Sequence, residues 1–298
     1  GIDIGLYPKF EEEVYEETDE YKVYRDANGV VCKAWKHQSN IPHYMDFTLK
    51  TGADWPQYKK RLQPDERRIA ENFSDVLKEA EETDLPVALW TGSLMGWIRD
   101  WMGVENLAYL ACDERDVFAD IVDTLSDLAC WQLDYIFAHL KRQVDIGFGW
   151  EDICGRSGPF VSPEVFDECV APGYRKIRNK LEAHGVKLYG IDSDGDVTAL
   201  VKHWLDAGVN VQFPVEVGAW KGDAMKFRKL YGKELRVIGN FDKMTLEKDR
   251  SAVLAEIERL KPLMKDGGFI MMPDHLITPG VSLEMYKWYL DQVRQLRF

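Results

Sequence analysis

Two short segments place ionisable side chains where apolar runs end: Ile191-Asp192-Ser193-Asp194-Gly195-Asp196 and Met272-Pro273-Asp274-His275. Acids crowded this closely must share a cation, pair with a base or keep a proton, because like charges raise one another's pKa. The first segment is not a calcium hand, which needs Gly at its sixth position and Glu at its twelfth, where this chain carries Val197 and His203. A solvated turn that caps a helix over 197–207 is the plainer alternative. His275, beside Asp274, adds an imidazole able to bind a metal or move a proton near neutral pH. A third candidate is Trp150-Glu151-Asp152, a carboxylate pair after the run Val144-Asp145-Ile146-Gly147-Phe148-Gly149. Gly147 and Gly149 would let backbone approach a ligand, but the third Gly of a dinucleotide fingerprint is missing. The competing reading of Glu151 is a cap or a pairing with Arg156.

Such groups need a scaffold that delivers strand ends to one place. Short β-branched and aromatic runs predict strands at 86–91, 144–150, 186–191, 208–213, 235–240 and 268–273, separated by stretches of helical pattern. That alternation is the βα step of a TIM-type (β/α)8 barrel, whose chemistry sits on the loops after the strands. The segment from Arg115 to Leu140 carries Val117, Ile121, Leu125, Leu128 and Leu133 at helical spacing, so Trp131 and Tyr135 read as packing residues. Ser162-Pro163-Glu164 and Thr278-Pro279-Gly280 read as helix starts. Upstream, Tyr21–Arg25 and Val30–Trp35 flank Asp26-Ala27-Asn28-Gly29, a hairpin signal, and 54–82 carries a helical pattern with Pro64 near a start. We expect a single domain over 1–298, with 20–85 as a hairpin and helical insertion and 86–298 as regular βα repeats. The run 1–6 reads as the second barrel strand, leaving the first outside this chain and an open edge that favours a homo-oligomer.

The balance of 51 acids against 38 bases gives a net charge of −13, with no basic block, so nucleic acid and anionic membranes are disfavoured as partners. No apolar stretch is long enough to span a bilayer, and no signal peptide opens the chain. Five cysteines without a Cys-x-x-Cys pair suit reduced thiols and a cytoplasmic location.

Taken together, Trp150-Glu151-Asp152, Gly158-Pro159-Phe160-Val161-Ser162-Pro163, Asp192-Ser193-Asp194-Gly195-Asp196, Ala207-Gly208-Val209-Asn210, Pro214-Val215-Glu216, Ile238-Gly239-Asn240-Phe241-Asp242-Lys243 and Pro273-Asp274-His275 resemble the uroporphyrinogen decarboxylase superfamily in order and spacing along essentially the whole chain. The resemblance implies a TIM-type barrel and either of two chemistries: porphyrinogen decarboxylation, or zinc-dependent methyl transfer involving corrinoid proteins or thiols such as coenzyme M. For the decarboxylase branch it implies an Asp, matched by Asp3, and a His, matched by His275; Trp97 stands where a Tyr is expected, and the arginine-rich loop has no counterpart.

In the methyltransferase branch a His-x-Cys pair occupies the place of Asp192-x-Asp194, and a Cys that of His275, so the positions match while the ligand types differ. The resemblance thus implies Asp192, Asp194 and His275 as metal ligands, with Glu151 or Glu216 beside them, holding a divalent ion such as Zn²⁺. The expected catalytic residues are His275, Asp194 and Asp3; the expected substrate-binding residues are Trp97, Trp150, Glu151 and Glu216. The expected function is a metal-assisted methyltransferase that moves a methyl group from a small-molecule donor to a corrinoid protein or a thiol. The alternatives are a decarboxylase-like lyase, with His275 as general acid and Asp194 orienting the substrate, and a non-catalytic ligand-binding barrel.

Overall fold

The Asn-Gly signal marks a real turn. Gly29 takes φ of +83°, and the Asp26 carboxylate accepts the amides of Asn28 and Val30 at 2.9 and 2.8 Å. In the computed structural model, which describes residues 1–38 and 41–298, this turn joins the middle strands of a four-stranded antiparallel sheet. Its order is β1 (Glu13–Glu17), β2 (Tyr21–Arg25), β3 (Val30–Trp35) and β4 (His43–Phe47). The outer pair carries little patterning, since all of β1 and most of β4 is exposed, and a strand with no buried face leaves no alternation to read.

The expected helical segment over 54–82 is broken. Helices run over Trp55–Lys59 and Phe73–Glu82, with a 3-10 turn at Glu66–Arg68 between them. That turn buries Arg68, whose guanidinium donates to the carbonyls of Gln63, Asp3 and Gly5. The run 1–6 is therefore not a strand. Ile2 makes one antiparallel bridge to Ile69, the Asp3 amide donates to the Arg68 carbonyl, and Ile4 and Leu6 are buried without a ladder. Arg68 satisfies the carbonyls that strand pairing would otherwise have satisfied.

The chain folds as two compact units, 1–151 with 160–187, and 152–159 with 188–298. In the first unit β5 (Ala88–Trp90) and β6 (Ile146–Trp150) pair in parallel. They are joined by the helices Gly96–Asp113, kinked at Gly103, and Arg115–His139, the latter close to the expected 115–140. Gly147 serves packing rather than a ligand: a Cβ there would strike the Leu181 side chain on the helix Ala171–Ala183.

The second unit carries a two-residue ladder, β7 (Cys154–Gly155) with β8 (Gly158–Pro159). It also holds four parallel strands, β9 (Leu188–Asp192), β10 (Val211–Phe213), β11 (Arg236–Phe241) and β12 (Phe269–Pro273), paired in chain order. Helices Val201–Asp206, Ala224–Tyr231 and Arg250–Asp266 connect them, and Leu283–Gln295 follows, capped by Ser282 as its Ser-x-Glu start predicts. All six strands expected from residue 86 onward are present. The architecture is thus α/β, with parallel strands, intervening helices and N-terminal antiparallel hairpins, but no closed eight-stranded barrel forms among the described residues. None of the described helices is long and apolar enough to cross a membrane. All five cysteines are free thiols.

Candidate functional site

Polar residues cluster in the loops that follow the parallel strands of the second unit, and those loops are bound to one another. The turn after β9 depends on Gly195, at φ +84°, where a Cβ would overlap the Cys154 carbonyl. Its amide donates to Glu216 Oε2 at 2.7 Å, and the Asp194 amide donates to Asp152 Oδ1 at 2.9 Å. The acids of two loops, Asp152 and Glu216, are thereby fixed by backbone donors of a third rather than left to solvent.

Two of those loops hold residues in the left-handed region that glycine favours: Asp152 at φ +49° and Val215 at +54°. A β-branched residue there is a backbone outlier, costing on the order of 1–3 kcal/mol unless its surroundings enforce it. Buried Asn240, itself at φ +57°, enforces it: its Nδ2 donates to the Val215 and Gly222 carbonyls at 2.9 and 3.0 Å. Arg259 in turn donates to the Asn240 carbonyl at 2.6 Å. Asp274, 2% exposed, accepts the amides of Val217 and Lys243 at 2.7 and 3.1 Å. Both oxygens of Asp274 are thus committed to positioning the loops after β10 and β11.

The outcome is a half-buried cluster in which ligand atoms of Asp194, Glu216 and His275 lie within 4.8 Å of one another, and those of Asp152, Asp192 and Asp194 do likewise. His275 Nε2 stands 3.2 Å from Asp194 Oδ2. Its other ring nitrogen, Nδ1, is buried with no hydrogen-bond partner. Burial, together with the charges of Asp152 and Asp194, pushes the Asp192 carboxyl up to about 7. Asp194 is raised to about 6 by burial and by Asp152 and Glu216, against the opposing effect of His275. Cys154 contributes no thiolate, since burial and the nearby acids push it up to about 12. The donor set is therefore carboxylate oxygen plus imidazole nitrogen, which suits a divalent ion of hard to borderline character, Zn²⁺ included, and the unsatisfied Nδ1 and mutually repelling acids are what such an ion would relieve.

Of the residues expected from sequence, Asp192, Asp194, Glu216 and His275 are brought together. Asp152 joins them, and it was missed although it neighbours the chosen Glu151. Glu151 belongs to the first unit and is fully buried. Its oxygens accept the amides of Leu94, Met95 and Gly96 at 2.7 to 2.8 Å, the Ser93 hydroxyl at 3.1 Å and the Tyr174 hydroxyl at 2.6 Å. Burial raises its pKa, and the Tyr174 and backbone donors work against that rise. With five donors on two oxygens, Glu151 anchors the start of the helix Gly96–Asp113 and has no lone pair directed at a metal.

Trp150, Asp3 and Trp97 also belong to the first unit. Trp150 lies under the Arg99 guanidinium, 5.2 Å from its ring centre. Asp3 and Trp97 line a separate cavity of about 300 Å³.

Comparison with curated proteins finds no match. Among solved structures, a methyltransferase from Methanosarcina mazei is similar, with a TM-score of 0.59 and 16% sequence identity over 88% of this chain and 74% of that one. At that identity the likeness speaks for the fold. The family model for uroporphyrinogen decarboxylase (URO-D) matches residues 68–296, which takes in β5, β6 and all four parallel strands whose ends carry the acid and histidine cluster. On that match, which spans most of its length, the chain belongs to the uroporphyrinogen decarboxylase family.

Proposed function

We propose that this chain is a methyltransferase in which Asp194, Glu216 and His275 hold a divalent metal ion, with Asp192 and Asp152 beside them. The observation that carries the reading is the convergence of those three side chains, from three different strand ends, to within 4.8 Å. When bound, the ion would act as a Lewis acid, drawing electron density from the heteroatom that bears the methyl group. Around it the protein's own residues have separate tasks. Gly195 and Asp274 fix the loops. Asp192, whose carboxyl burial holds above the ordinary range, can pass a proton to the departing heteroatom. The acceptor in this reading is a corrinoid carried by a partner protein, or a small thiol. The name of the structural neighbour agrees with it, as does an acidic site that suits neutral or cationic donors better than polycarboxylates.

A second reading is favoured by one distance. The 3.2 Å contact between His275 Nε2 and Asp194 would equally serve a lyase in which His275 is general acid and Asp194 orients it. Elemental analysis by plasma mass spectrometry separates the two. We expect about one equivalent of metal in the purified protein, lost by roughly tenfold or more in Asp194→Ala and His275→Ala, since each removes a ligand. Metal below a tenth of an equivalent in protein refolded or incubated with Zn²⁺, Mn²⁺ and Fe²⁺ would shift the assignment to the lyase.

A further inference from the structure

The cavity of about 300 Å³ in the first unit is lined by three indoles, Trp90, Trp97 and Trp101, and by the carboxylates of Asp3 and Asp100. It is at the small end of ligand pockets, of a size for a molecule with few heavy atoms. Its aromatic wall is fixed. Trp97 and Trp101 stack with centroids 6.1 Å apart, and Trp101, 3% exposed, is backed by Tyr58 at 5.6 Å. Behind Trp97 lies Gly92, at φ +80°, where a Cβ would press on the indole and on Ile4. Trp90, by contrast, is 43% exposed on β5, an indole left open beside a built wall.

The charges divide unevenly. Asp100 is ion-paired to Arg99 at 2.8 Å, whereas the Asp3 carboxylate accepts one hydrogen bond, from the Gly5 amide at 2.8 Å. The nearby Arg68 guanidinium is turned onto backbone carbonyls and does not pair with that carboxylate. Lys9 also lines the cavity, but it is exposed, and its long stem lets the ammonium remain in water. An anion entering here would meet three indoles and the Asp3 carboxylate, the charge of Asp100 being met by Arg99. A cation would be attracted by all of them, and a methylated ammonium, weakly hydrated and matched in size to an indole face, would be attracted most.

We propose that this cavity binds a methylated ammonium compound, held by Trp97, Trp101 and Trp90 through cation–π contact and by Asp3 through charge. The inference goes beyond the methyltransferase reading and does not depend on it, since the binding is measured without turnover.

The test is titration calorimetry of the full chain with choline and with its neutral carbon isostere, in which a quaternary carbon replaces the nitrogen. Choline should saturate the protein at a Kd between about 0.1 and 10 mM, and bind at least about tenfold more tightly than the isostere. Asp3→Asn, at an exposed position, and Trp97→Leu should each weaken choline at least about fivefold, with Trp97→Phe recovering part of the loss. Melting curves of the variants confirm that the fold is retained. Equal binding of choline and isostere, no saturation by about 10 mM, or unchanged affinity in both Asp3→Asn and Trp97→Leu would overturn the proposal. Methyl transfer from a neutral ether by a protein that does not bind choline would remove the cation site and leave the reaction.

Discussion

Asp192 and Asp194 keep protons into the range where other carboxyls have long lost theirs, to about 7 and about 6 against an ordinary 3.8. Burial is the first cause for each, and neighbouring acids add to it. A carboxyl whose folded pKa is raised contributes stability below its unfolded pKa, and that contribution is lost as pH rises through the folded value. Between about pH 4 and 7 the folded protein therefore holds more protons than the unfolded chain. Metal-stripped protein should melt at progressively lower temperature as pH is raised from about 5 to 8, and Asp192→Asn, fixed in the neutral form, should flatten that decline. Differential scanning fluorimetry across this range checks it, and superimposable slopes for the two proteins would show that Asp192 is already ionised throughout. The same acids were visible in the sequence, because three acids in five residues after an apolar run either cap a turn in solvent or share a cation, a base or a proton. Asp152 was not visible as a partner, since its place in the cluster depends on a left-handed backbone angle and on the Asp194 amide, neither of which a local pattern reveals.

Legibility at the level of elements followed burial. The strand β11 was readable because a strand between two others is buried on both faces, as its stretch 237–241 largely is. β1 was not, with every side chain exposed, and 1–6 misled because Ile2, Ile4 and Leu6 alternate as a strand would while Arg68 takes up the carbonyls. Glu151 shows the same limit. Its neighbours suggested chemistry, but its work is done by the helix start at Gly96, where three consecutive amides from Leu94 to Gly96 converge on its carboxylate. Glu151→Ala would strand those amides and the hydroxyls of Ser93 and Tyr174 in a dry interior, at a cost of about 3–5 kcal/mol. The expected result in urea is a midpoint well below the wild type's with an unchanged slope, alongside metal content per folded molecule that stays near the wild-type value. Loss of metal from a variant that remains folded would instead place Glu151 among the ligands.

For the molecule as a whole, the balance of charge weighs against a polyanionic substrate. A porphyrinogen with several propionate and acetate groups must be met by cations, bidentate arginines above all, if it is to leave water. This chain carries 51 acids against 38 bases, and the residues that converge after its parallel strands are Asp152, Asp192, Asp194 and Glu216 around one histidine. Arg259, which holds Asn240 beneath these loops, is itself occupied by Asn240 and Glu256. Repulsion from a field of this sign slows the approach of a polyanion and weakens its binding, most strongly at low salt, where the Debye length is about 30 Å at 0.01 M against about 8 Å at 0.15 M. Uroporphyrinogen should accordingly release no carbon dioxide with this protein at either ionic strength, with or without added divalent metal. A methylated amine offered with a reduced corrinoid should yield methylated cofactor, detected by its visible spectrum, and the rate should fall as salt screens the acids that attract the cation. Decarboxylation that strengthened as salt was lowered would mean that the site presents a positive face to its substrate, and the acid cluster would then have to be a neutral, proton-sharing array rather than a seat for a cation.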